Sequence, residues 1–208
     1  MRNFLSILLM AVVLLSACDS SRRPSNANFT AAINQYLAKH GQVCISIGRQ
    51  FPMDVTKSEQ NTPSGIGGKM ATLEQAGLVH STDTTAVIHG LLDALRGPTP
   101  PQPVRRYELT GEGQKYNQQV PGTFGQTNGL CYGQKAVDSI VKWTEPQGSQ
   151  SQAEVTYRYR IVNLAAWAKR TDVQQAFPDI KATINGVSTA NQIVGVQLTS
   201  NGWEIPGL

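Results

Sequence analysis

An apolar segment near the start of the chain is its most constraining feature, because it decides the compartment in which the remainder folds. The segment covers residues 4–15, follows the positive residue Arg2 and ends in small residues just before Cys18. A charged start, an apolar stretch and a small-residue end are typical of a secretory signal. As a helix it would span about 18 Å, whereas the hydrocarbon core of a bilayer is about 30 Å thick. The pattern therefore predicts export behind a cleaved segment, residues 1–17.

The residues around the predicted cleavage site, Leu15-Ser16-Ala17-Cys18, resemble the lipobox of bacterial lipoproteins. The resemblance implies cleavage before Cys18, a diacylglyceryl thioether on its sulfur and acylation of the new amino group. One acyl chain binds a membrane marginally, whereas two or more anchor a protein stably. Asp19 resembles the inner-membrane retention signal of enteric bacteria. We expect a periplasm-facing protein held to the membrane through lipid on Cys18; an uncleaved anchor helix and cleavage without lipidation are the alternatives.

The charge pattern argues against a nucleic-acid partner. Charged residues make up 15% of the chain, against about 25% in typical domains. The formal net charge is +4, and the charges mix in sign along the chain without a basic block. Binding to nucleic acid requires clustered Lys and Arg. We therefore expect no nucleic-acid partner, and an envelope protein is the possible macromolecular partner.

Two cysteines, Cys44 and Cys131, remain once Cys18 is assigned to the lipid. An even pair in an exported protein predicts one disulfide, with a buried free pair or a reactive thiol as alternatives. The closed loop would contain 87 residue steps, worth roughly 4–5 kcal/mol in a chain-entropy treatment. A cross-link of this reach argues against two independent domains that divide between these cysteines.

The body of the chain is predicted to be α+β. Residues 18–28 are polar and predict a tether of about 30 Å reach, and residues 29–208 a single body with a possible seam near the prolines of 97–104. We expect short N-terminal helices and a hairpin packed on a mainly antiparallel β-meander. Helices are predicted over 29–40 (N-cap Asn28, C′ Gly41), over 69–78, where Gly77 is the candidate end, and over 88–95. Thr110 is expected to cap a short helix that runs through residue 116. Strands are predicted over 43–47, 105–109, 131–143, 155–162, 194–199 and 203–205, and loops over 50–68 and 120–129. In the strand 131–143, alternation predicts that residues 137, 139, 141 and 143 share one face.

Two stretches, LEQAGLV at 73–79 and YELTGEG at 107–113, resemble the L-x-x-A-G-L-V and Y-x-L-T-x-x-G elements of winged-helix domains. The resemblance implies a helix–helix–hairpin shape, in which the first stretch ends the recognition helix and the second ends the wing. Reading DNA requires phosphate contacts from several Lys or Arg. Lys69 is the single basic residue between 69 and 78, so the resemblance predicts a shape and not DNA binding.

Residues that carry chemistry form no recognisable catalytic or metal-binding pattern. His40, His80 and His89 are far apart in the sequence, which disfavours a metal site. The glycines of 65–68 precede a helix but lack the G-K-[ST] of a phosphate-binding loop, which favours a connector. We therefore predict no metal, no cofactor and no catalytic residue. Five aromatic residues are expected in the core more than on a binding face: Trp143, Tyr157, Tyr159, Trp167 and Trp203.

These observations predict a membrane-anchored envelope module that binds a ligand or partner without catalysis. An envelope hydrolase acting on cell wall or glycan is the alternative, although the sequence does not select a carboxylate pair from Glu108, Glu112, Glu145 and Glu154. A cysteine–histidine enzyme using Cys44 or Cys131 with His80 or His89 is formally open. A cytoplasmic winged-helix regulator is the remaining hypothesis.

Overall fold

The computed structural model describes residues 20–88, 100–122, 125–146 and 151–207, and the chain forms two compact units. Unit 1 contains the described residues up to Gln42, together with Gln134–Val162 and Asn185 onward; unit 2 contains Val43–Gly133 and Asn163–Ile184. Both units combine helix with antiparallel strands, so the predicted α+β class is confirmed. The single body and its seam stay predictions. The signal 1–17, Cys18, Asp19, His89 and most of the predicted helix 88–95 lie outside the described residues.

The elements follow one another along the chain as short helices and longer strands. Within the described ranges, no helix has the length and apolar character needed to cross a membrane. In order they are α1 (Asn26–His40), β1 (Gln42–Ser46), β2 (Met53–Thr56), α2 (Lys57–Gln60), α3 (Ile66–Gln75), β3 (Val79–Ala86), β4 (Gln102–Leu109), α4 (Gly111–Gln114), β5 (Asn117–Gly122), β6 (Gly125–Trp143), β7 (Gln152–Val162), a 3-10 helix (Ala166–Lys169), α5 (Thr171–Ala176), α6 (Pro178–Asn185), β8 (Asn191–Thr199) and β9 (Gly202–Glu204).

Unit 1 is a helix on an antiparallel meander, as the back half of the sequence predicts. The last part of β6 pairs with β7, β7 with β8, and β8 with β9. Helix α1 lies on the apolar face through Phe29, which is fully buried between two tryptophans. Its ring centroid is 5.2 Å from that of Trp143 and 5.0 Å from that of Trp203, both in edge-to-face geometry. Such aromatic contacts add to the burial of apolar area that stabilises the unit.

The start of α1 differs from the prediction. The helix begins at Asn26 instead of residue 29, because Ser25 is the N-cap and its Oγ accepts a hydrogen bond from the backbone N–H of Asn28 (3.2 Å). Asn28 is therefore inside the first turn, and its side chain is free to bond elsewhere. Gly41 follows the helix as predicted, and its N–H donates to the carbonyl of Leu37 (2.7 Å).

Strand β6 corrects the prediction that residues 137, 139, 141 and 143 share one face. Its pairing with β7 shifts between Val137 and Ser139 and again between Ile140 and Lys142. Each bulge adds a residue and moves the following side chains to the other face. Val137, Ile140 and Trp143 therefore belong to the core, whereas Val141 is 43% exposed.

Unit 2 contains a three-stranded antiparallel sheet in the order β2–β4–β3, and a second sheet region in which β1 and β5 both neighbour β6. Met53 lies opposite Tyr107, and Val79 opposite Leu109. Helix α3 precedes the β3–β4 hairpin and buries Met70 against this part of the unit.

Two predicted loops of unit 2 are wrong. The predicted loop 50–68 contains β2, α2 and the start of α3, and the predicted loop 120–129 is the hairpin between β5 and β6. Gly67 belongs to α3 and not to a connector. A glycine is required there because a Cβ would lie 2.4 Å from the carbonyl oxygen of Glu59. Pro178 follows the end of α5 at Phe177 and begins α6, where its missing N–H costs nothing.

The disulfide expected from the cysteine count is present in unit 2. The sulfur atoms of Cys44, on β1, and Cys131, on β6, are bonded at 2.08 Å. Neither sulfur is then a free thiol, so the cysteine–histidine hypothesis loses its nucleophile. The thiolate, and not the disulfide, is the reactive form in such enzymes.

Candidate functional site

A cleft of about 330 Å³ in unit 2 combines small apolar side chains with charged and aromatic ones. We name it the Trp167 cleft. Ligand sites in proteins are typically concave and apolar, with a few polar groups that orient the ligand. Its lining residues are Ala76, Leu78, Glu112, Tyr116, Ala166, Trp167 and Arg170.

The first wall of the cleft is the turn that ends α3. Gly77 has a φ of +76°, a conformation that strains any residue with a Cβ. The N–H of Leu78 donates to the carbonyl of Leu73 (2.9 Å), and that of Gly77 donates to the carbonyl of Glu74 (2.9 Å). This is the Schellman pattern of helix ends. The turn directs Ala76 and Leu78 to the cleft.

The second wall is α4, whose N-cap residue is hydrogen-bonded to this turn. Thr110 caps α4 as predicted, with its Oγ1 accepting from the N–H of Gly113 (3.0 Å). The same hydroxyl donates to the carbonyl of Gly77 (2.7 Å), and the N–H of Thr110 donates to that of Leu78 (3.0 Å). A Cβ on Gly113 would lie 1.9 Å from the Leu78 oxygen. The stretches LEQAGLV and YELTGEG therefore meet here. Close backbone contact requires the glycine at Gly113, and a positive φ favours the glycine at Gly77.

Glu112 supplies a negative charge at the rim of the cleft. Its carboxylate accepts hydrogen bonds from Lys115 Nζ (2.6 Å) and from the Tyr116 hydroxyl (3.1 Å). The Lys115 bond, followed by the Tyr116 bond, holds the pKa of Glu112 below its ordinary value. Burial and the neighbouring Glu112 raise the pKa of Tyr116. At neutral pH this pair is a carboxylate and a neutral phenol.

Trp167 closes the cleft and has an unpaired polar atom. The residue is 5% exposed, and its ring lies edge-to-face with Tyr116 (5.9 Å) and Tyr132 (6.0 Å). Within the described part of the chain, its buried Nε1–H has no hydrogen-bond acceptor. The other two indole N–H groups do have one, Asn26 Oδ1 for Trp143 and the Arg22 carbonyl for Trp203. An unpaired buried donor costs about 1–3 kcal/mol.

Arg170 places a positive charge at the same cleft. It donates to Asp172 through Nε (3.1 Å) and a terminal nitrogen (2.7 Å). This hydrogen-bonded pair lowers the pKa of Asp172 and raises that of Arg170. The cleft therefore presents a carboxylate and a guanidinium beside an apolar wall, and one of its lining residues, Trp167, has a buried, unpaired N–H donor.

A second cleft in unit 2, of about 270 Å³, is lined by amide and hydroxyl side chains. Gln50 donates to Gln119 (3.4 Å) and to the Gln126 carbonyl (3.2 Å), and Arg49 forms an ion pair with Glu59. Thr127 lines this cleft, and its buried Oγ1 has no partner among the described residues. This cleft lacks the apolar wall that distinguishes the Trp167 cleft.

The remaining predicted candidates are separate from these clefts. His40 stacks on Tyr36 (4.6 Å), and His80 lies 3.3 Å from Glu108 across the β3–β4 hairpin. No group of three potential metal ligands occurs within the described ranges. Tyr157, Tyr159 and Trp203 are buried in the core of unit 1, as expected.

The sequence anticipated the burial of Trp167 but not its role at a cleft. The stretches LEQAGLV and YELTGEG did mark the backbone that forms two of the walls. The third wall consists of Ala166, Trp167 and Arg170. Nothing in the sequence around these residues indicated that they would lie beside the other two walls. Comparisons with protein-family models, curated proteins and solved structures found no match to this chain.

Proposed function

We propose that this chain is a bacterial envelope lipoprotein, exported behind residues 1–17 and anchored through lipid on Cys18, whose body binds a ligand without catalysis. The disulfide between Cys44 and Cys131 supports this proposal most strongly. Disulfides persist in oxidising compartments such as the periplasm. The bond accounts for two of the three cysteines, and the third is the cysteine of the lipobox-like sequence. Asp19 favours retention at the inner membrane.

We propose the Trp167 cleft as the ligand site. An acetamido group matches its chemistry, because the carbonyl oxygen can accept from Trp167 Nε1 while the methyl group packs on Ala76, Leu78 and Ala166. Charged groups at the rim, on Glu112 and Arg170, suit the hydroxyls of a sugar ring. The ligand class is therefore an N-acetylated amino sugar. Because Nε1 is buried, a neighbouring side chain must shift to admit the carbonyl.

The alternative of a wall or glycan hydrolase receives less support from the same cleft. A general acid in glycoside hydrolysis needs a raised pKa so that it is protonated near neutral pH. The pKa of Glu112 is lowered by Lys115 and Tyr116, and that of Asp172 by Arg170. Both carboxylates stay ionised at neutral pH, which favours binding over catalysis.

We also propose that the part of unit 2 built from β2, α3, β3 and β4 adopts a winged-helix-like shape without a nucleic-acid role. Helix α3 followed by the β3–β4 hairpin, with β2 beside β4, supports this shape. The absence of clustered charge on α3 argues against DNA reading, since Lys69 is its one basic residue. Such a shape is compatible with many functions.

Nuclear magnetic resonance of the mature chain, made soluble by Cys18→Ser, tests the ligand proposal. The chain has three tryptophans, whose indole N–H signals we expect to be separate, and loss of one signal in Trp167→Phe would assign it. N-acetylglucosamine should shift the Trp167 signal saturably, whereas the signals of Trp143 and Trp203 should stay in place. Loss of one hydrogen bond in Trp167→Phe should weaken binding by roughly tenfold. Glucose, which lacks the acetamido group, is the matched control; equal shifts with both sugars, or none, would contradict the proposal.

A further inference from the structure

The segment between the proposed lipidation site and α1 is hydrogen-bonded to unit 1. Ser20–Arg23 forms a turn in which the N–H of Arg23 donates to the carbonyl of Ser20 (3.4 Å). The side chain of Asn28 donates to the carbonyls of both Ser20 and Arg23 (2.8 Å each). These bonds hold residues 20–23 against the first turn of α1. A freely extended tether would not make them.

A second set of bonds fixes the same segment to the β8–β9 hairpin. Trp203 Nε1 donates to the carbonyl of Arg22 (3.1 Å), and a guanidinium nitrogen of Arg22 donates to the carbonyl of Thr199 (3.1 Å). Trp203 is itself 5% exposed and packs on Phe29 in the core. Releasing the segment would leave a buried indole N–H without an acceptor, which is unfavourable. The segment is therefore part of the folded unit.

The chain length then limits how far unit 1 can lie from the lipid. Cys18 precedes Ser20 by two residues, and two residues span at most about 7 Å. The tether predicted for residues 18–28 would have reached about 30 Å. A distance of 7 Å is shorter than the Debye length of about 8 Å at physiological ionic strength, so charges on the segment interact with the membrane surface.

We propose that unit 1 sits directly on the membrane, with residues 20–23 and the turn between β8 and β9 against the lipid headgroups. This inference rests on the proposed lipidation of Cys18. Arg22 and Arg23 place two positive charges on the segment, which suits anionic headgroups. The partner of this surface is the anionic bilayer that holds the lipid anchor.

The two ends of strand β8 provide labelling positions at different expected distances from the membrane. Ser200, just past its end in the hairpin turn, and Asn191, at its start, are both exposed. Nine residues of strand place them about 30 Å apart. A dye on Ser200→Cys should therefore lie near the bilayer, and a dye on Asn191→Cys well away from it.

Energy transfer from each dye to labelled headgroups, on the lipidated protein in phosphatidylglycerol-containing vesicles, measures this difference. We expect severalfold greater transfer from position 200 than from position 191. Inserting about twelve Gly and Ser residues after Asp19 adds a flexible reach of roughly 19 Å and should remove most of the difference. Equal transfer from the two positions without the insertion would overturn the proposal.

Two further variants separate the possible failures. Asn28→Ala removes the bonds that close the turn and should reduce the difference in transfer, whereas Gln35→Ala, at an exposed position of the same helix, should not. The mature chain with Cys18→Ser keeps only the attraction of Arg22 and Arg23 to the headgroups and should lose stable vesicle binding. If this variant binds vesicles as tightly as the lipidated protein, the lipid anchor itself is refuted. If it does not, but the lipidated protein gives equal transfer from the two dye positions, only the seating of unit 1 fails.

Discussion

Removal of the Cys44–Cys131 disulfide should destabilise unit 2 by a large and calculable amount. The two cysteines are 87 residues apart in sequence. Cross-linking a loop of that length lowers the entropy of the unfolded chain and stabilises the fold by about 4–5 kcal/mol at 25 °C. The net stability of a domain is typically about 5–15 kcal/mol, so this contribution is a substantial share of the total.

Urea unfolding of the Cys18→Ser mature chain, followed by tryptophan fluorescence, measures this effect. With a slope of about 2 kcal/mol per molar urea, the double variant Cys44→Ala/Cys131→Ala should unfold at a midpoint roughly 2 M lower. Alanine keeps the Cβ of each cysteine, so packing changes little. A reducing agent should lower the midpoint of the parent chain similarly and leave the double variant unchanged. A parent midpoint that does not respond to reduction would refute the reasoning.

Two further changes probe the cleft wall and the charge pairs of unit 2. Gly113→Ala places a Cβ 1.9 Å from the Leu78 oxygen and should lower the unfolding midpoint, whereas Gly111→Ala meets nothing within 4 Å and should not; equal midpoints in urea would contradict this. A hydrogen bond from Arg49 lowers the pKa of Glu59 from 4.5. The stability from this pair is therefore present above about pH 4.5 and lost as pH falls through the folded-state pKa. Urea midpoints between pH 3 and 6 should vary less in Glu59→Gln, and an unchanged pH profile would count against the pair.

Local signals in the sequence predicted several features of the fold. Thr110 caps α4 because a hydroxyl before a short helix can accept from its free N–H groups. Gly77 ends α3 because the left-handed conformation there favours glycine. The cysteine count led to the disulfide, and alternation of apolar residues located β7. Each of these depends on residues close together in the chain, except the disulfide, which depends on the compartment that the leader predicts.

The features that the sequence did not reveal depend on contacts between distant residues. The two bulges in β6 are fixed by its pairing with β7, so the exposure of Val141 could not be read from alternation. Asn28 suggests an N-cap by its type, but its side chain bonds to Ser20 and Arg23 while Ser25 takes the cap. The Trp167 cleft depends on three separate stretches of the chain coming together. Tertiary structure therefore decided the candidate site.

The proposed export and lipidation are tested most directly by mass spectrometry of the full-length protein purified from bacterial membranes. We predict an N-terminus at Cys18, with a diacylglyceryl thioether on its sulfur and residues 1–17 absent, and a mass two hydrogens below that of the reduced form because Cys44 and Cys131 are joined. A chain that retains Met1 and carries an unmodified Cys18 would contradict the proposal.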